Sequence, residues 1–242
     1  RYNIPAPIAT VINWSYCVSN GYLVFIPDVV FRKGEPGASS YDAVVSGVKS
    51  LIDRYDFIDK DRIALNGHSW GGYQIAFLVT RTNMFKAAVS GAPVVNMTSA
   101  YGGIRWESGK SRMFQYEQTQ SRIGGTLWDK PAEFIRNSPL FFLPQVQTPV
   151  LIMHNDKDGS VMWEQGIEFF MALRRLDKPV WLFNYKGEGH FLSNQAAQKD
   201  WTIRMMQFFD YYLKGTKEPR WMKEGIHLRE RGIDQKYDLL EK

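Results

Sequence analysis

Residues 62–79 read RIALNGHSWGGYQIAFLV, and this stretch decides the fold. Arg62-Ile-Ala-Leu-Asn66 is a short apolar run stopped by Gly67, which predicts a buried strand. Residues 70–82 carry Ile75, Ala76, Leu78 and Val79 and predict a helix. Between them, Gly67-His68-Ser69-Trp70-Gly71 fits G-x-S-x-G, a sharp strand-to-helix turn that lifts a serine side chain above a sheet. Gly67 and Gly71 are expected where a Cβ would clash between close backbone segments. The helix after Ser69 aims its N-terminus at that serine, favouring developing negative charge. The Trp70 N–H is the expected oxyanion donor.

The same strand–helix alternation extends in both directions. Residues 8–19 predict a helix, Tyr22-Leu-Val-Phe-Ile26 a strand, and Phe31 to Ser40, with Gly34, Pro36 and Gly37, a loop. Tyr41 to Tyr55 has Val44, Val45, Val48, Leu51 and Ile52 at helical spacing. Phe85–Ser90, Val150–Met153 and Val180–Tyr185 predict further strands, and Glu164–Leu176 and Ala196–Leu213 helices, the last ended by Gly215. Residues 94–147 are irregular, with room for short helices, and residues 216–242 form a charged, weakly patterned tail. Short apolar strands alternating with amphipathic helices imply an α/β fold: a mostly parallel sheet with helices on both faces.

Composition narrows the function. The chain has 242 residues, 44% hydrophobic and 23% charged, enough for a sizeable core. Net charge is +5, but Lys and Arg are scattered, which argues against nucleic-acid binding. The single cysteine, Cys17, excludes an intrachain disulfide and a Cys-rich zinc site, and leaves cytoplasmic, periplasmic and secreted settings open. No stretch approaches a membrane span in length, and the opening Arg1-Tyr-Asn-Ile-Pro5 has no signal-peptide pattern.

A serine hydroxyl needs a base to take its proton. His68 adjoins Ser69 and is expected to pack; His154 ends a strand and orders the next loop; His227 lies solvated in the tail. His190 lies in Gly187-Glu-Gly-His-Phe191, a glycine-rich loop after a strand, where α/β proteins place chemistry, and is the expected base. In this fold the chain order is Ser, acid, His, so the acid lies between 69 and 190. His154-Asn-Asp156-Lys-Asp158-Gly-Ser-Val161 offers two carboxylates that residue chemistry does not separate, and Glu188 is a weaker third. The histidines are far apart and H-E-x-x-H is absent, so no metal site is expected.

Gly67-His-Ser-Trp-Gly-Gly-Tyr73, His154-x-x-x-Asp158-x-x-Val161 and Gly187-x-x-His190 together resemble the catalytic domain of the prolyl oligopeptidase family of serine peptidases. Asp59-Lys-Asp-Arg62-Ile-Ala-Leu and Pro149-Val-Leu-Ile-Met-His154 fit as well, so the resemblance spans roughly residues 18–214. It implies the α/β-hydrolase fold over residues 1–215, oligopeptide substrates and no metal or organic cofactor. It also implies Asp158 as the acid, and a β-propeller ahead of the hydrolase domain in a longer chain. The family's second oxyanion donor, a tyrosine beside an earlier strand, has no room before Tyr22; Tyr2 is a conceivable substitute. The resemblance therefore implies an α/β-hydrolase domain lacking its first strands. Residues 94–128 are expected to pack above the site. There Tyr101, Arg105 and Trp106 are weak substrate-binding candidates; among these and Arg112, Phe114, Tyr116 and Arg122 the aromatics could form an apolar pocket and an Arg could bind a carboxylate, and the plainer reading is that the aromatics are core and the arginines surface. An esterase or other acyl hydrolase on the same scaffold, and a non-catalytic degenerate module, are the rival readings. Oligomeric state is open, a homo-oligomer included.

Overall fold

The computed structural model describes residues 10–241. Four strands form one parallel sheet: β1 (Ala64–His68), β2 (Ala87–Gly91), β5 (Val150–Met153) and β6 (Val180–Phe183), in the order β1-β2-β5-β6. The register pairs His68 with Gly91, Gly91 with Met153 and Met153 with Phe183, so the strands end level on the side where Ser69 and the loops after β5 and β6 lie.

Alternate side chains leave opposite faces of the sheet and build two cores. Leu65, Ala88, Val150, Ile152 and Val180 face α2 (Pro36–Arg54), α3 (Trp70–Val79) and α7 (Glu164–Arg175). Ala87, Val89, Leu151 and Met153 face α8 (Gln195–Lys214) and α9 (Arg220–Glu224), where Trp201, Phe208 and Trp221 are fully buried. Burial on both faces is why β5 is apolar at every position. A third core lies beyond α3. Tyr73 and Phe77 meet Tyr101 of α4 (Met97–Tyr101), Tyr116 of α5 (Met113–Glu117), Phe134 of α6 (Pro131–Arg136) and Val161. Two short antiparallel strands, β3 (Ile104–Arg105) and β4 (Lys110–Ser111), make a hairpin there.

Three expectations change. The run Tyr22–Ile26 has no regular secondary structure and pairs with no strand among the described residues. The Tyr22 hydroxyl donates to Asp210 Oδ1 (2.6 Å) on α8, while Phe25 packs against Gly47 of α2, so the run crosses between the two faces instead of joining the sheet. Leu23 and Ile26 are left 69% and 57% exposed. The expected loop over 31–40 ends early, because α2 starts at Pro36, whose fixed φ and missing N–H suit the first helical position. The first helix, α1, is only Trp14–Ser19: the Asn13 side chain accepts from Tyr16 N–H (2.8 Å) and caps it there, and residues 8 and 9 lie outside the described ones.

Gly215, in the left-handed conformation at φ 66°, ends α8. Residues 216–241 then fold back onto the sheet. Trp221 is wholly buried, with its Nε1–H donating to Gln207 Oε1 (2.8 Å). Arg204, 1% exposed, is paired with Asp200 and lies over the rings of Phe183, Trp221 and Tyr237.

Candidate active site

Ser69 sits at the junction of β1 and α3 with φ 60° and ψ −116°, a conformation that a non-glycine residue adopts only when its surroundings impose it. Its N–H donates to Gly91 O (2.8 Å) and its carbonyl accepts from Tyr73 N–H (3.0 Å). The steric case for glycine holds at Gly67, where a Cβ would lie 2.5 Å from Gly71 O. The second demanding position is Gly72, not Gly71. A Cβ on Gly72 would lie 2.2 Å from Gly91 O, whereas one on Gly71 would meet nothing nearer than Gln74 Oε1 at 4.0 Å. The Trp70 N–H opens α3 and has no carbonyl to reach within the helix, so it is free to receive a negative oxygen.

Residues 154–161 leave the end of β5 and residues 185–190 the end of β6. Between them Asn155 Nδ2–H donates to Gly189 O (2.8 Å) and Tyr185 N–H to Asn155 Oδ1 (3.1 Å). Gly187 N–H donates to Asp156 Oδ1 (2.7 Å) and Lys157 N–H to Glu188 O (3.2 Å). Asp156 is thus a loop cap, and Glu188 caps the turn before α8 by accepting from Ser193 and Asn194 N–H. Neither of them reaches an imidazole.

Asp158 does. Its Oδ1 accepts from Ser160 and Val161 N–H (both 2.8 Å), and its Oδ2 lies 2.8 Å from His190 Nδ1. A carboxylate oxygen can only accept, so Nδ1 carries a proton, and in the neutral ring Nε2 is the nitrogen with the lone pair. His154 adds a second imidazole: its Nε2 lies 3.1 Å from Val161 O and 3.3 Å from Asp158 Oδ2, both acceptors. Burial alone would push the Asp158 carboxyl up. The hydrogen bonds and charges of His154 and His190 outweigh it and hold the group well below its ordinary range.

His68 brings the elbow and the His190 loop together. Its ring lies 4.9 Å from the rings of both His190 and Phe191. Burial, and then the charge of His190, lowers its pKa to about 4, so it is a neutral packing surface at pH 7. Among the described residues the Ser69 hydroxyl makes no hydrogen bond to His190; such bonds are often loose before substrate binds.

The hairpin β3–β4 lies against the loop that carries Asp158. Arg112, 3% exposed, donates to Ser160 O, and Arg105 Nη1 lies 3.4 Å from Ser160 Oγ. The Glu107 stem covers Gly159. Trp106 stands 71% exposed at the hairpin tip. Tyr101 is 2% exposed, packed on Tyr116 and Phe134 with its hydroxyl donating to Glu117, and has no face for a ligand. Tyr2 lies outside the described residues. Among the described residues no group of three or more His, Cys, Asp or Glu could hold a metal ion, and no helix is long and apolar enough to cross a membrane. His154 orders the loop that follows it, as expected, whereas the contact of Arg112 with that loop was missed in the sequence, because nothing local marks a neighbour 48 residues away.

The prolyl oligopeptidase family profile matches residues 12–216. The chain is 30% identical over 188 residues to an uncharacterized peptidase, YuxL, of Bacillus subtilis, covering 75% of this chain and 27% of that one. It is 29% identical to the acylamino-acid-releasing enzyme of Rattus norvegicus, covering 69% and 22%. The Pyrococcus horikoshii acylaminoacyl peptidase has the same fold, with a TM-score of 0.66 and 20% identity over 81% of this chain and 31% of that one. The chain thus spans a fifth to a third of the length of these proteins. With the family matched across most of its length and the α/β-hydrolase sheet and elbow in place, the chain belongs to the prolyl oligopeptidase family of serine peptidases.

Proposed function

We propose that this chain hydrolyses peptide bonds of oligopeptides through Ser69 as nucleophile, His190 as general base and acid, and Asp158 as the carboxylate that orients it. His190 Nε2 takes the proton of the Ser69 hydroxyl as Oγ adds to the scissile carbonyl carbon. The carbonyl oxygen becomes an oxyanion, stabilised by the Trp70 N–H at the start of α3. The imidazolium, stabilised by Asp158, gives its proton to the departing amine, leaving an acyl-enzyme. Water, activated by the same imidazole, then releases the acid. No metal or organic cofactor enters this scheme.

The observation that carries the reading is the 2.8 Å contact between Asp158 and His190 Nδ1, which leaves Nε2 unprotonated at the end of the loop that packs on the elbow through His68. The exposed ring of Trp106, on the hairpin over the acid loop, offers an apolar surface to a substrate side chain. A fluorophosphonate probe on the full chain tests the proposal: it should label wild type and not Ser69→Ala. Absence of labelling in the wild type would sink it. Peptide amides should turn over alongside short acyl esters; turnover of the esters alone would make the chain an esterase on a peptidase scaffold.

A further inference from the structure

A cleft of about 500 Å³ lies between residues 31–33 and residues 117–125, lined by Phe31, Lys33, Glu117, Arg122 and Gly124 among others. Phe31 connects it to the reaction centre: its ring centroid is 6.0 Å from that of Trp70, the residue after Ser69. The walls are tied together by backbone. Gly34 N–H donates to Arg122 O (2.7 Å), Ile123 N–H to Tyr116 O (2.9 Å) and Gly124 N–H to Glu117 O (2.8 Å). Arg122 holds a φ of 53° to make this turn.

Its two cations are positioned by contacts other than ion pairs. The Arg122 guanidinium lies over the Phe31 ring at 5.2 Å and gives one N–H to Gln120 O (2.9 Å). The Lys33 stem rests on Gly124, with Cε 2.4 Å from where a Cβ would sit, so only glycine leaves it that place. Neither side chain has a carboxylate within salt-bridge distance among the described residues, although neighbouring Arg32 has both Glu35 and Asp42. The one carboxylate lining the cleft, Glu117, already accepts the Tyr101 hydroxyl. The cleft therefore presents the unused donors of an ammonium and a guanidinium, held in place before any ligand arrives, with the Phe31 ring between them and Trp70.

We infer that this cleft binds a carboxylate of the substrate, with Arg122 and Lys33 as the specificity-determining residues. The inference rests on the hydrolase reading only for the identity of the ligand as substrate. The carboxylate has two sources in a peptide, the C-terminus and an acidic side chain, and both present the same planar anion to a guanidinium.

The experiment measures equilibrium binding to full-chain Ser69→Ala, so that turnover plays no part. One pair of short peptides differs as free acid and C-terminal amide, and the other by Glu against Gln at one internal position. One pair should show about tenfold tighter binding of the carboxylate form, the scale of a charge-assisted hydrogen bond, and that pair identifies the source. Arg122→Gln and Lys33→Gln should each lose most of this preference with unchanged melting temperatures, and Arg122→Glu should reverse it toward a peptide carrying Lys. Equal affinities within both pairs, or a preference that survives both Gln variants, would overturn the assignment. Failure of the probe to label wild-type Ser69 would instead sink the hydrolase reading, and leaves this binding comparison intact.

Discussion

Replacing Asp158 with Asn tests the site at its centre. The carboxylate accepts from the N–H groups of Ser160 and Val161 at 2.8 Å and from His190 at 2.8 Å, with His154 at 3.3 Å. An amide can keep only one oxygen. Turning its NH2 toward two buried backbone donors would leave both unpaired, at about 1–3 kcal/mol each. The oxygen therefore stays with Ser160 and Val161, and the NH2 faces His190. His190 Nδ1 must then become the acceptor, which moves the ring proton to Nε2, the nitrogen that receives the Ser69 proton in the proposed mechanism. A base in the wrong tautomer lowers kcat by about 10⁴-fold, or roughly 5 kcal/mol of barrier. The assay is kcat on a peptide amide, paired with the rate of fluorophosphonate labelling and with far-ultraviolet circular dichroism to show a folded chain. Asp156→Asn is the control: Asp156 only caps Gly187 N–H at an exposed loop, and its rate should stay within about twofold. If Asp158→Asn kept activity within tenfold of wild type, or if Asp156→Asn were the variant that lost it, the assignment would be wrong.

Other consequences are separable. Gly72→Ala should destabilise the chain by about 3 kcal/mol in urea unfolding, because its Cβ would lie 2.2 Å from the Gly91 carbonyl oxygen, while Gly71→Ala should stay within about 1 kcal/mol. His68 has its folded pKa lowered from 6.5 to about 4, so the unfolded chain binds its proton first. The associated stability is complete above pH 6.5 and falls by about 2 kcal/mol on going to pH 5; His68→Phe should flatten that slope in urea titrations at pH 7 and 5. Asp158 acts in a lower window, since a depressed carboxyl loses its contribution only as pH falls below the ordinary 3.8; acid unfolding of Asp158→Asn should accordingly be shallower than wild type below pH 4. Trp221→Ala should cost about 3–5 kcal/mol, read as a lowered melting temperature, because the ring is wholly buried between β6 and α8 and its N–H bonds Gln207.

What the sequence made legible is what local chemistry determines. An elbow is one strand, one turn and one helix in a row, so Gly67 to Val79 carries its own instructions, and β1 and α3 form where the periodicity changes. The parallel sheet was legible for a related reason: strands buried on both faces must be apolar throughout, and β5 is. Pairing is different. Tyr22–Ile26 has the composition of a strand, but a strand needs neighbours, and the run instead ties Tyr22 to α8 and Phe25 to α2. Punctuation misleads in the same way. Pro36 and Gly37 read as loop, yet proline suits the first turn of a helix, and Gly37 lets α2 lie against Phe77, where a Cβ would come within 2.2 Å of the ring.

The choice between Asp156 and Asp158 turns on the same distinction. Both are carboxylates in one loop, and composition treats them alike. Backbone geometry separates them, because Asn155, Asp156 and Lys157 are all engaged with the β6 loop, which fixes that loop's height and delivers His190 to the next carboxylate along. His154 and His68 then pack around that contact from β5 and β1, elements brought together only by the sheet register. The elbow around Ser69 is written locally, and the contact between Asp158 and His190 only globally. The elbow motif can therefore be read from the chain alone, and the hydrogen bonds between two loops that seat His190 on Asp158 cannot.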